Sequence, residues 1–226
     1  MEPKEIAEKV LSLIKSGNQA DVLLLLTEVY HDERDVLKGL VNVQNQLRKL
    51  GGDWPPVGKQ IETMDEIIMF SKLAIDYALQ MGDSLTAGIL NHNVASCCFP
   101  NMDDGVDSKF IEPGYQAALA DYKLRQKIDD KVPLLWAKWL LGVSEYIKGD
   151  VSTSLKTLEE TAKLALEEPE DKGLAAWSDM MVIKFQLKSE MITKEDATRK
   201  IKKVEKVLKK LDDKYGLSAL KQIQNS

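Results

Sequence analysis

The stretch Leu134–Ala165, LLWAKWLLGVSEYIKGDVSTSLKTLEETAKLA, decides the fold. Apolar residues recur at three- and four-residue spacing as far as Ile147, Gly149-Asp150 breaks the run, and a second periodic run follows. This is the pattern of two helices joined by a tight turn. Between Leu134 and Ile147 only Lys138, Ser144 and Glu145 are polar, so the first helix is apolar around most of its circumference. Such a helix must be covered on several sides. Its partner beyond Gly149-Asp150 covers one side and neighbouring hairpins cover the others, with Gly142 marking a close helix approach.

The same period extends along the chain in both directions, and strand signals are nearly missing. Helices are expected at about Glu2 to Lys15, Gln19 to Tyr30, Glu33 to Gly51-Gly52, Gly58 to Met81, Ser84 to Phe99, Pro113 to Ile128, Val132 to Lys148, Ser152 to Glu168, Gly173 to Ser189 and Lys194 to Asp213. Gly51-Gly52, with Pro55-Pro56 behind it, is a firm boundary. Thr193 and Asp196 form an acidic variant of a capping box for the last helix. Ten helices make five hairpins.

The hairpins recur. An offset of 47 residues places Asn93-Val94-Ala95 on Leu140-Leu141-Gly142 and Asp103 on Asp150. An offset of 41 places Trp136 on Trp177, and both helices follow an Asp-Lys step, Asp130-Lys131 and Asp171-Lys172. Helix pairs at this period are the mark of an α-solenoid. The expected fold is therefore all-α, an α-solenoid of about five antiparallel hairpins. It reads as one helical-repeat domain over 1–226: an N-terminal hairpin (1–31), irregular repeats (33–189), and a C-terminal capping helix and tail (190–226).

At Leu141-Gly142, Gly149-Asp150, Ser154, Leu155, Leu158 and Thr161 the chain resembles a tetratricopeptide repeat, and Asn93-Val94-Ala95 resembles the same family's Asn-Leu-Gly step. Lys138 and Glu145 stand where that family usually has aromatic residues. The resemblance implies a superhelical, protein-binding scaffold. In its register His92, Ser96 and Phe99 of one hairpin, and Trp136, Trp139, Val143 and Tyr146 of the next, face a concave groove. The family's carboxylate-clamp subtype uses lysine and asparagine at several of these positions. Here His92 and Ser96 stand there instead.

Composition narrows the partners. The net charge is -5, with 31 basic against 36 acidic residues, which gives no overall attraction to nucleic acid or to an anionic membrane. Met1 to Val10, MEPKEIAEKV, lacks the long apolar run of a secretory signal. Ser84 to Met102 carries no Asp, Glu, Lys or Arg, but Asn91, His92, Asn93 and Pro100 make it a helix buried between neighbours rather than a membrane span. Cys97 and Cys98 are adjacent, about 100° apart around a helix, and read as reduced core residues of a cytoplasmic protein.

Neither a phosphate-binding G-x-x-x-x-G-K-[ST] nor a G-x-G-x-x-G occurs. His31 with Asp32, Glu33 and Asp35 reads as a charged helix boundary, and NMDDGVD (Asn101–Asp107) puts Pro100, Met102 and Ile111 where a calcium loop needs oxygen ligands. Five residues separate His92 from Cys97, about 140° apart on one helix, so they point away from each other. No cofactor, metal or catalytic residue is expected.

Asn91, His92 and Asn93 interrupt an uncharged helix. They form either a satisfied network between packed helices or part of a groove. The run Lys188–Lys214 has ten basic and six acidic residues, with Ile201, Val204, Leu208 and Leu211 as its apolar stripe; a solvated capping helix and a partner-binding helix are its two readings. The expected function is a non-enzymatic scaffold that holds another protein's peptide or helix in a groove lined by His92, Ser96, Phe99, Trp139, Val143 and Tyr146. The alternatives are a self-associating structural protein, a homo-oligomer, or a helical domain that binds a small molecule or catalyses through His92 and Cys97.

Overall fold

Aspartates set most of the helix starts. Asp32, Asp83, Asp107, Asp150 and Asp171 each accept a hydrogen bond from a backbone N–H in the first turn of the helix that follows, and Thr193 does the same by its hydroxyl. Each such cap is worth about 1 kcal/mol, because it satisfies a donor that the helix itself cannot. The computed structural model describes residues 1–52, 61–99, 106–128, 130–168 and 171–225. Among these residues there are eleven helices and no strand, and no helix is long and apolar enough to cross a membrane. The Pro55-Pro56 boundary, most of the Asn101–Asp107 loop and Asp129 lie outside the described residues.

The chain divides into two compact units, Met1–Asp129 and Asp130–Ser226. The first contains α1 (Pro3–Lys15), α2 (Ala20–Tyr30), α3 (Glu33–Leu50), α4 (Met64–Gln80), α5 (Ser84–Cys98) and α6 (Ser108–Arg125). Ile6, Ala7, Val10 and Ile14 of α1 are buried, and so are Val36, Leu40, Val43 and Leu47 of α3, each set at helical spacing. These stripes meet, and α1 packs on α3 more extensively than on its hairpin partner α2. Phe70 and Leu90 carry the core on through α4 and α5, and α5 makes its broadest contact with α6.

The second unit contains α7 (Lys131–Ile147), α8 (Val151–Glu167), α9 (Lys172–Lys188), α10 (Lys194–Lys210) and α11 (Lys214–Asn225). Each packs on the next, while α7 also touches α9 and α9 touches α11. Gly142 is the close approach between α7 and α8: a Cβ there would fall 2.9 Å from Leu158 Cγ. Its carbonyl accepts a hydrogen bond from Ser154 Oγ at 2.7 Å.

Three boundaries differ from the sequence expectation. The fourth helix begins at Met64 rather than about Gly58; Thr63, just before it, donates its hydroxyl to Leu47 O at 2.8 Å instead of continuing the helix back. The sixth helix begins at Ser108 rather than Pro113, because the Asp107 carboxylate accepts from Lys109 N at 3.1 Å and the added turn buries Phe110. Pro113 is carried inside it as the sixth residue, so the backbone bond that an N–H there would make to Lys109 O is forgone. The expected tail past Asp213 instead forms α11. Asp213 Oδ1 accepts from Gly216 N at 2.7 Å, and Gly216, Leu220 and Ile223 make a buried stripe.

Candidate functional site

The six residues expected to line a groove fall in both units, three in each. In α5, His92 and Ser96 are half-buried, one turn apart. Phe99, just past α5, is buried with its ring over Gly114, where a Cβ would come within 2.5 Å of the ring. In α7, Trp139 and Val143 are buried, and Tyr146 is half-buried, stacked on Phe185 with centroids 3.6 Å apart and planes 3° from parallel. Phe99, Trp139 and Val143 thus contribute packing to their own units, whereas His92, Ser96 and Tyr146 retain some exposure.

The trio Asn91-His92-Asn93 enters a hydrogen-bond network. Asn91 Nδ2 donates to Ala87 O of its own helix at 2.9 Å, and Asn93 Nδ2 donates to the buried Gln44 Oε1 at 2.8 Å. Gln44 in turn donates to Ser71 Oγ and Leu90 O, tying α3, α4 and α5 together. His92 Nδ1 lies 2.9 Å from Asp121 Oδ2, and Arg125 Nε donates to the other oxygen of the same buried carboxylate at 3.1 Å. Asp121 is thereby paired on both sides, which is how a buried charge is tolerated. Cys97 and Cys98 are buried and form no disulfide. Burial pushes the Cys97 thiol up to about 11 against an opposing effect of Arg48, and burial followed by Cys97 pushes Cys98 higher still. Neither is poised as a nucleophile at neutral pH.

His31 and its acidic neighbours form the turn between α2 and α3. His31 takes a left-handed conformation at φ 46° to end α2, and Asp32 caps α3 through Arg34 N at 2.9 Å. Among the described residues no group of three or more His, Cys, Asp or Glu side chains has the geometry to hold a metal ion.

On α7, the face bearing Lys138, Gly142 and Glu145 packs toward α8. Lys138 Nζ pairs with Glu160 Oε2 at 2.9 Å. Burial holds the Glu145 carboxyl above the usual carboxylate range, opposed by a hydrogen bond from Thr157, and its Oε2 is buried without a hydrogen-bond partner.

The tryptophans link alternate helices. Trp136 of α7 donates its indole N–H to Asp171, which caps α9, and Trp177 of α9 donates to Asp213 Oδ2 at 2.9 Å, at the start of α11. The two bonds are equivalent under the sequence offset: the donors lie 41 residues apart and the acceptors 42. Edge-to-face contacts join Trp136, Trp139 and Trp177 at centroid distances of 5.6 and 6.1 Å, and Trp177 stacks on Tyr215.

One concavity among the described residues was not legible in the sequence. It is a groove of about 800 Å³ formed by α8, α9 and α10 within the second unit. Ala175 and Ala176 keep its floor deep, and Val182 and Ile183 extend that floor. Leu166, Val207 and Leu211 line it while remaining 68%, 42% and 42% exposed. On α10 the groove face runs Lys200, Lys203, Val204, Val207, Lys210, Leu211, a second stripe at three- and four-residue spacing beside the core stripe of Ile201, Val204 and Leu208. Leu211, expected in the core stripe, belongs to this second face. The signal was a helix with more apolar positions than one core face needs.

The groove has unlike ends. Lys200 Nζ donates to Gln186 Oε1 at 2.8 Å, and Glu159 and Asp179 line the same region. Asp179 keeps contact with solvent, yet loss of hydration first and Glu159 second push its carboxyl up, with Lys200 opposing. Since α8, α9 and α10 run antiparallel in turn, the start of α9 meets the ends of α8 and α10, and that end gathers Leu166, Ala175, Ala176, Val207 and Leu211. No protein-family signature matches this chain, and no curated protein resembles it in sequence.

Proposed function

We propose that the chain is a non-enzymatic interaction scaffold of stacked, tetratricopeptide-like helical hairpins, and that the α8–α10 groove receives a peptide or helix of another protein. The observation that carries this reading is the groove itself, with Leu166, Val207 and Leu211 exposed in one concavity. Full burial of a Leu or Val side chain is worth about 1.5–3 kcal/mol, so covering the exposed parts of these three offers about 3 kcal/mol, concentrated at one end. A rim of lysines around an apolar floor is the anatomy of an interface rather than of a core. The equivalent bonds from Trp136 to Asp171 and from Trp177 to Asp213 support the stacking of hairpins.

The test is selection from a displayed library of short peptides, run on the full chain and on a Leu166→Asp variant. Leu166 is exposed enough that the substitution leaves the helices folded. Peptides that bind the parent and lose binding on the variant sustain the reading. Selection that yields only peptides indifferent to Leu166→Asp and Val207→Asp refutes it.

A further inference from the structure

The α10 side of the groove carries Lys200, Lys203, Lys206 and Lys210, against two carboxylates, Glu159 and Asp179, in the whole lining. Lys200 is engaged by Gln186 and faces the acidic pair. Lys203, Lys206 and Lys210 are exposed, and among the described residues none of the three forms an ion pair. They lie along the apolar stretch that contains Val207 and Leu211. Positive charge is therefore set beside exposed apolar surface, with no ion pair to these three lysines among the described residues.

The groove is walled by helices, and no strand edge exists among the described residues. Recognition there rests on side chains. An extended peptide would bring backbone donors and acceptors that need partners, whereas a helix satisfies its own and presents only side chains. A phosphate polymer could meet the lysines but would leave Leu166, Val207 and Leu211 uncovered.

From this geometry, and resting on the reading of the groove as a protein-binding site, we propose that its occupant is an acidic amphipathic helix. Its apolar face seats on Leu166, Val207 and Leu211, and carboxylates along the flank nearest α10 meet Lys203, Lys206 and Lys210. The lysines select the sign of the partner and its direction in the groove; the leucines and Val207 hold it.

The experiment uses the full chain and three labelled designed helices that share one leucine face and differ in their flanks, which carry Glu, Gln or Lys, with binding read by fluorescence anisotropy. The expected result is that the Glu-flanked helix binds at least about ten-fold more tightly than the Lys-flanked one, and that this preference narrows as salt rises. In the Lys203→Glu/Lys206→Glu/Lys210→Glu variant, whose circular dichroism stays unchanged, the preference reverses. Equal binding of all three helices, lost on Leu166→Asp, overturns the charge inference and leaves the groove reading standing. No binding that depends on Leu166 overturns both. Phosphatidylserine vesicles form the last arm: if they bind through the three lysines while the Glu-flanked helix does not, the surface serves a membrane and the proposal is wrong.

Discussion

Replacing Gly142 by alanine sets two effects of known sign against each other. Alanine in a helix interior is favoured over glycine by about 1 kcal/mol. The new Cβ, however, would sit 2.9 Å from Leu158 Cγ, 3.1 Å from Leu158 Cδ2 and 3.2 Å from Thr157 Cγ2. Carbon atoms settle at about 3.5–4.0 Å, so α7 and α8 must part by several tenths of an ångström or Leu158 must leave its rotamer. Leu158 is fully buried and has little room to move. Overpacking of this kind costs about 1–3 kcal/mol, which leaves Gly142→Ala between neutral and about 2 kcal/mol destabilising. Gly142→Leu drives three further carbons into the same space and should lose about 3 kcal/mol or more. Urea unfolding followed by tryptophan fluorescence is the assay, because Trp136, Trp139 and Trp177 all report on the second unit. Leu158→Ala alone should cost about 2–5 kcal/mol, and combined with Gly142→Ala it should cost less than the sum, since the added methyl fills part of the cavity. A Gly142→Ala protein that gains the full propensity increment of about 1 kcal/mol, and adds independently to Leu158→Ala, would refute the close contact.

Three further outcomes are expected. Trp177→Phe keeps an aromatic ring but strips Asp213 Oδ2 of its indole donor, costing about 1–2 kcal/mol; hydrogen exchange across 214–225 should quicken, and unchanged exchange there would show that the bond does not hold α11. Glu145 has a folded pKa above its unfolded one, so its contribution is fully present below the unfolded value and is lost as pH rises through the folded value; Glu145→Gln should therefore raise the melting temperature at pH 7 and do so much less at pH 4, and an equal effect at both would contradict the buried carboxyl. Cys97, with its thiol near 11, is about 0.1% thiolate at pH 8 against about a quarter for an exposed cysteine, so disulfide reagents should label the native chain only at the rate of its unfolding.

The all-helical fold was legible where the pattern was local. The α7–α8 pair, its Gly149-Asp150 turn and the Gly142 approach all follow from periodicity and turn chemistry within about thirty residues. The Asn91-His92-Asn93 trio was recognisable as unusual, but its partners Gln44 and Asp121 lie 49 and 29 residues away, so the sequence left both readings open. The α8–α10 groove was hidden for a similar reason: Leu166, Ala175 and Val207 belong to three helices, and nothing local says that they meet. Helix α11 was within reach. Asp213-Lys214 repeats the Asp-Lys step of Asp130-Lys131 and Asp171-Lys172 after 42 residues, and following it would have turned a tail into a helix.

The indole-to-aspartate bonds have a bearing on how such a chain can grow. The segment from Asp171 to Asp212 opens with a carboxylate that receives an indole from α7, two helices earlier than α9, and it contains an indole that seeks the carboxylate opening the next segment. It is a link with a socket at its front and a plug inside. A tandem copy of that segment inserted at Asp213 would bring its own acceptor for Trp177 and its own donor for the displaced Asp213, so every polar junction would remain matched. Lengthening by whole periods therefore keeps each indole with a carboxylate, whereas an insertion of another length sets indoles and carboxylates out of register.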